Sequence, residues 1–108
     1  MNSMRDIPPL VGIGDLAADI VIRIEELPVH GDAYLLADSF ELEAGGTANF
    51  LITAARLGAP AAAIGSLGDD VWGHEVSRIL QAEHVDTSLI TPSGSSTRVV
   101  VLAARDGS

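Results

Sequence analysis

The chemistry in this sequence is concentrated at Asp19 and in the stretch Ala44-Gly45-Gly46-Thr47-Ala48-Asn49. An ionised carboxylate such as Asp19, placed at a strand end, can accept hydrogen bonds from two neighbouring hydroxyl groups of a sugar. Taken alone, the same residue reads as a solvated loop acid. Gly45 and Gly46 permit positive φ and let a ligand approach the backbone closely. Behind them, Phe50, Leu51, Ala54, Ala55 and Leu57 form a broad apolar face at helical spacing, and Gly58 and Pro60 follow as stop signals. A glycine turn feeding a helix N-terminus leaves several N–H groups pointing at one spot. Asn49, in the first turn, adds an amide that both donates and accepts. The plain alternative is a tight turn with Asn49 as a helix cap.

Other groupings carry less. Gly12-Ile13-Gly14-Asp15-Leu16-Ala17 fits G-x-G-x-x-A, the dinucleotide fingerprint, and would make the chain part of a dinucleotide-dependent oxidoreductase. That reading needs a helix from Asp15, whereas Ile20-Val21-Ile22 is a poor helix and Asp15 would set a carboxylate beside the phosphates. Gly65, Gly68 and Gly73 with Asp69 and Asp70 suggest a phosphate loop. Adjacent carboxylates oppose it, and a strand-to-helix turn whose acids suit the helix dipole explains them better. His30, His74 and His84 lack metal-ligand spacing and have no cysteine to assist them, so they read as surface residues and no metal site is expected.

Composition bounds the rest. Six arginines against fifteen acidic residues give a net charge of −9, which argues against a nucleic-acid backbone binder. The absence of cysteine excludes disulfides and thiol chemistry and suits a reducing cytoplasm. Met1 to Pro9 lacks the shape of a signal peptide, and no apolar run is long enough to span a membrane. A soluble, cytoplasmic chain with no membrane partner is expected. Hydrophobic residues make up 47% and aromatics only 4%, so alanine and aliphatic packing must supply the core.

These residues must be positioned by a succession of short elements. Leu10 to Gly14 reads as a buried strand, Ile20 to Glu25 as a second β run and Ala33 to Glu43 as an extended segment. After the central helix, Ala61 to Gly65 is a short buried strand. A second helix runs from Trp72 or Gly73 to about Glu83, with Val76, Ile79, Leu80 and Glu83 recurring at three and four. Val85 to Ile90 is a further β segment, Pro92 to Ser96 a linker, and Thr97 to Ala104 a strand. Strands alternating with helices indicate an α/β fold with a mostly parallel sheet and right-handed crossovers. The segments near 20–25, 33–43 and 97–104 have no helix between or after them and suit a small separate antiparallel sheet. Asp106-Gly107 is a hairpin signal followed only by Ser108, so the fold is expected to continue past the given sequence.

In order along the chain, these segments resemble the N-terminal third of a ribokinase-type (PfkB family) carbohydrate kinase, from Val11 to Gly107. Gly14-Asp15-Leu16-Ala17-Ala18-Asp19 is similar to the family's first strand end and substrate-binding Asp. Leu27-Pro28-Val29-His30-Gly31 resembles its P-x-x-G turn. Ala44 to Asn49 and Ala54-Ala55-Arg56-Leu57-Gly58 resemble the glycine–glycine signature and its helix. Ile64 to Gly73 resembles I-G-x-x-G-x-D-x-x-G, and Val85-Asp86-Thr87-Ser88 and Thr97 match later landmarks. Three positions depart from the pattern. Thr47 stands where Gly, Ala or Pro is usual, Leu51 where a small residue is usual, and Ala17 where ribokinases proper carry a sugar-reading Asn. The family's C-terminal G-A-G-D signature and its magnesium-organising acidic motif have no counterpart here.

The resemblance implies one ribokinase-like domain, of which residues 1–108 are the N-terminal portion. Its activity would be ATP-dependent transfer of the γ-phosphoryl group to a hydroxymethyl group of a sugar or nucleoside. Asp19, Gly45, Gly46 and Asn49 would bind the acceptor. The strands near 20–25, 33–43 and 97–104 would form a lid over it. The catalytic Asp base and the sites for ATP, Mg and a possible monovalent cation are expected outside this chain, which alone would be inactive. A homodimer is implied for the full-length protein. A non-catalytic sugar-binding or regulatory module made from the same half is the alternative.

Overall fold

Residues 9–27, 31 and 37–107 are described by the structure, a computed structural model. Within them the chain runs β1 (Leu10–Ile13), β2 (Leu16–Ile24), β3 (Ser39–Gly46), α1 (Thr47–Arg56), β4 (Ala61–Leu67), α2 (Val71–Ala82), β5 (Val85–Asp86), β6 (Ile90–Pro92) and β7 (Thr97–Ala104). Most of the expected turn at Leu27 to Gly31, and residues 33–36 of the expected extended segment, lie outside the described residues.

β4 is the spine of a parallel sheet. β1 pairs with it from Leu10 to Ile13, β5 joins at Ala61 and Ala62, and β6 joins from Gly65 to Leu67. The expected β segment at Val85 to Ile90 is split in two because Asp86 folds back locally. Its carboxylate accepts from the Ser88 N–H at 2.9 Å, and the Ile90 N–H donates to the Thr87 carbonyl, which makes a turn. Alanine and branched aliphatic side chains fill the core, among them Ala18, Ala48, Leu51, Ala63, Val76 and Leu80, all fully buried.

The second sheet has the order β3-β2-β7. β2 and β3 are antiparallel, as expected, but β7 joins β2 in parallel, so the sheet is mixed and not wholly antiparallel. The reason is topological. The chain leaves β2, completes β3 through β6, and returns to the end of the molecule where β2 starts, a long crossover of the kind a parallel pair requires. A second correction concerns β2 itself, which begins at Leu16 and not at Ile20. Burial of Leu16, Ala17 and Ala18 favours extending the strand backwards, so Asp19 stands mid-strand and not at a strand end. An extended chain from Leu16 to Ile24 also removes the dinucleotide reading, which needed a helix there.

The two helices close differently. After α1, the Gly58 N–H donates to the Ala55 carbonyl and the Ala59 N–H to the Ala54 carbonyl, a Schellman closure. After α2, His84 takes φ 64° and donates its N–H to the Gln81 carbonyl, so this histidine closes a helix. No helix among the described residues is long and apolar enough to cross a membrane.

Candidate functional site

Asp19 and the glycine turn come together through strand register. Asp19 lies opposite Glu43 and Ala17 opposite Gly45, so Asp19, Ala17 and Gly45 share one face of the β2–β3 ladder. The Asp19 carboxylate lies across the Gly45 backbone, where a Cβ built on Gly45 would stand 2.2 Å from Oδ1 and 2.4 Å from Cγ. Only a residue without a side chain leaves room for that carboxylate. The pairing also sets a second acid, Glu43, directly across from Asp19, a neighbour that strand register reveals and linear spacing does not.

Gly46 is the N-cap of α1, with φ 66° and ψ −136°. That conformation is essentially reserved for glycine. A Cβ there would stand 2.4 Å from the Asp15 carbonyl oxygen, which accepts the Thr47 N–H at 2.8 Å. One N–H of the first turn is therefore already satisfied by the β1–β2 connection. Asn49 is not the cap either, since no side chain caps α1. It is an exposed residue of the first turn, and its backbone carbonyl accepts from Thr53 Oγ1 at 3.0 Å.

Asn49 also lines a cleft of about 460 Å³ between β3, α1 and α2, with Glu43, Thr53, Arg56, Arg78 and Glu83 around it. Asp19, Gly45 and Gly46 are not part of that lining. The structure thus brings Asp19 and Gly45 into contact and sets Gly46 next in the chain, while Asn49 follows on α1 and faces the cleft. Both arginines of the cleft are held by carboxylates. Arg56 grips Glu83 through two nitrogens and Arg78 grips Glu75, and the guanidinium in each pair lowers the pKa of its carboxyl partner.

The loop from Gly68 to Gly73 is a strand-to-helix turn, as expected, but its acid does more than offset a dipole. Asp70 caps α2 by accepting the Gly73 N–H at 2.8 Å, and it also accepts the Ser96 N–H at 2.8 Å and Ser96 Oγ at 2.7 Å. These donors, the Ser96 amide first, hold its pKa down at about 2. Among the described residues, no group of three or more His, Cys, Asp or Glu side chains could hold a metal ion.

Comparison with known proteins sets this geometry in a family. A family model described as pfkB family carbohydrate kinase matches residues 9–107. A ribokinase of Bacillus subtilis (strain 168) is 36% identical over 100 residues, covering 89% of this chain and 34% of the relative. A nucleoside kinase of Methanothermobacter thermautotrophicus is 28% identical over 98 residues, covering 90% of this chain and 31% of the relative. Among solved structures, Arabidopsis thaliana ribokinase complexed with ribose and ATP superposes with a TM-score of 0.76 at 31% identity, covering 94% of this chain and 34% of that one. The chain spans about a third of the length of the relatives it matches.

Proposed function

The chain belongs to the pfkB family of carbohydrate kinases, and from that premise we propose that it supplies the acceptor-binding part of an ATP-dependent sugar or nucleoside kinase. The observation that carries this reading is the Asp19 carboxylate seated across the bare backbone of Gly45. A carboxylate with both oxygens available can bind two vicinal hydroxyls, and a glycine beneath it lets a sugar ring approach the chain. Asn49 would fix a further hydroxyl through its amide.

Phosphoryl transfer to a hydroxymethyl group depends chiefly on positioning and on electrostatic stabilisation. In this account Asp19, Gly45, Gly46 and Asn49 supply the positioning. The sheet of β2, β3 and β7 acts as the lid that excludes water from the site. ATP would supply the transferred group, with Mg and a monovalent cation as the further ions of such a reaction. Among the described residues no group of three or more His, Cys, Asp or Glu side chains fits a metal ion, and the sites for these ions are proposed to lie outside this chain. In the full-length protein the lid sheet is also the surface through which two copies would pair. The same acid-rich, cysteine-free composition accords with a cytoplasmic enzyme.

The test is a coupled assay of ADP release by the full natural polypeptide against a panel of pentoses, hexoses and nucleosides. Acceptor-dependent turnover is the expected result. Acceptor binding without turnover would instead identify a non-catalytic sugar-binding module.

A further inference from the structure

The cluster around Asp70 shares no residue with the Asp19–Gly45 contact, and it is densely hydrogen-bonded. Ser96 is buried, at 5% exposure, and every polar atom of its side chain and its N–H is used. Its hydroxyl donates to Asp70 Oδ1 and accepts the Gly68 N–H at 2.9 Å, while its backbone N–H donates to Asp70 Oδ2. Two backbone bonds extend the seam, from the Asp69 N–H to the Gly94 carbonyl and from the Ser93 N–H to the Leu67 carbonyl. The approach is so close that glycine is demanded twice. A Cβ on Gly68 would stand 2.1 Å from the Ser96 nitrogen, and one on Gly73 would stand 2.0 Å from the Gly68 carbonyl oxygen.

A helix cap alone needs only the bond to Gly73. The remaining bonds tie the loop between β4 and α2 to the residue immediately before β7. That strand runs beside β2, with Thr97 opposite Ala17 and Val99 opposite Asp19. Thr97 to Leu102 are exposed, and β7 is bonded only to β2 within the sheet. Apart from its backbone ladder to β2, little apolar packing fixes its start, and the polar seam supplies the further tie.

Resting on the acceptor-binding reading of Asp19, we infer that Asp70 is a positioning residue for the acceptor: through Ser96 it anchors β7 to the parallel sheet and so fixes the β2 strand that carries Asp19. The carboxylate is suited to this because it accepts from three donors at once. An amide cannot, since whichever way Asn at this position is turned, its NH2 meets an N–H of Gly73 or of Ser96. A serine at 70 can still cap α2 but is too short to hold Ser96 as well.

The test compares Asp70→Asn, Asp70→Ser and Ser96→Ala with the wild type in the full natural polypeptide. Leu80→Ala serves as a core control that lowers stability without touching the seam. Amide hydrogen exchange is read in β7 and in β4, together with acceptor KM, ATP KM and kcat. The inference predicts exchange in residues 97–104 faster by about tenfold or more in all three seam variants, with β4 protected as before. Acceptor KM should rise while ATP KM holds. Asp70→Ser separates the two roles, because it keeps the cap and loses the anchor. Unchanged β7 protection in Asp70→Ser, or uniform loosening equal to that of Leu80→Ala, overturns the anchor. Faster β7 exchange with unchanged acceptor KM overturns the link to Asp19. A wild type without kinase activity would count against the proposed function instead, and acceptor dissociation constants would then replace KM in deciding the inference.

Discussion

At the residue scale, the proposed site rests on a carboxylate and an absent side chain. Gly45→Ala places a methyl group where the Asp19 carboxylate lies, so Asp19 must swing away. The expected loss in acceptor binding is about 1.5–3 kcal/mol, the worth of a hydrogen bond to a charged group. Titration calorimetry with the best acceptor measures it, and unchanged affinity would show that the carboxylate is not held for the ligand. Asp70 gives a prediction in pH. Its pKa is lowered from 3.8 to about 2 in the folded chain, so the unfolded chain binds the proton more readily. The stabilisation is complete above the unfolded value and is lost as pH falls through about 4 towards about 2. Denaturant titrations of wild type and Asp70→Asn should therefore converge across that window. A gap in stability that stays constant down to the acid end would contradict the assignment. Asp19 and Asn49 enter the proposed site on their residue types and their places, the one after Gly14 and the other in the turn before a helix. The contact of Asp19 with Gly45 was not legible in the sequence, because the two are far apart in sequence and meet only through strand register. Nor was the partner of Asp70, since the serine that it holds stands beyond α2, β5 and β6.

At the element scale, α1 shows how little local sequence is needed when turn chemistry and periodicity agree. The apolar face, the preceding glycines and Gly58 pointed to the helix, which runs from Thr47 to Arg56. Gly46→Ala tests the turn. It would force an alanine into a φ of 66° and against the Asp15 carbonyl, at a cost of about 1–3 kcal/mol. A shift of the urea midpoint measures this, and an unshifted midpoint would mean that the turn relaxes freely. The direction of β7 was not legible. An alternating or apolar run specifies a strand but not whether its neighbour runs with it or against it, and that depends on where the crossover delivers the chain. The start of β2 was missed for a related reason. Leu16-Ala17-Ala18 carries no β-branched residue, and only burial against the parallel sheet and helices extends the strand to include it.

At the scale of the whole molecule, the two sheets leave apolar surface uncovered. Val99, Val100, Val101 and Leu102 are all exposed on β7, and Val11 and Ile13 are exposed on β1. An apolar edge strand is a template for pairing with another chain. Residues 1–108 expressed alone should self-associate with rising concentration despite the net charge of −9. Sedimentation velocity measures this, Val100→Lys should reduce it, and a monomer at all concentrations would contradict it. The overall α/β class was legible because strand and helix patterns alternate, and the family because its landmarks occur in order along the chain. The central claim is that Asp19 binds the acceptor of a phosphoryl transfer, and its most direct test is steady-state kinetics of Asp19→Asn in the full natural polypeptide. The account predicts an acceptor KM raised about tenfold or more, from a loss of about 1.5–3 kcal/mol, with ATP KM nearly unchanged. An unaltered acceptor KM would contradict it and return Asp19 to the role of a solvated strand residue.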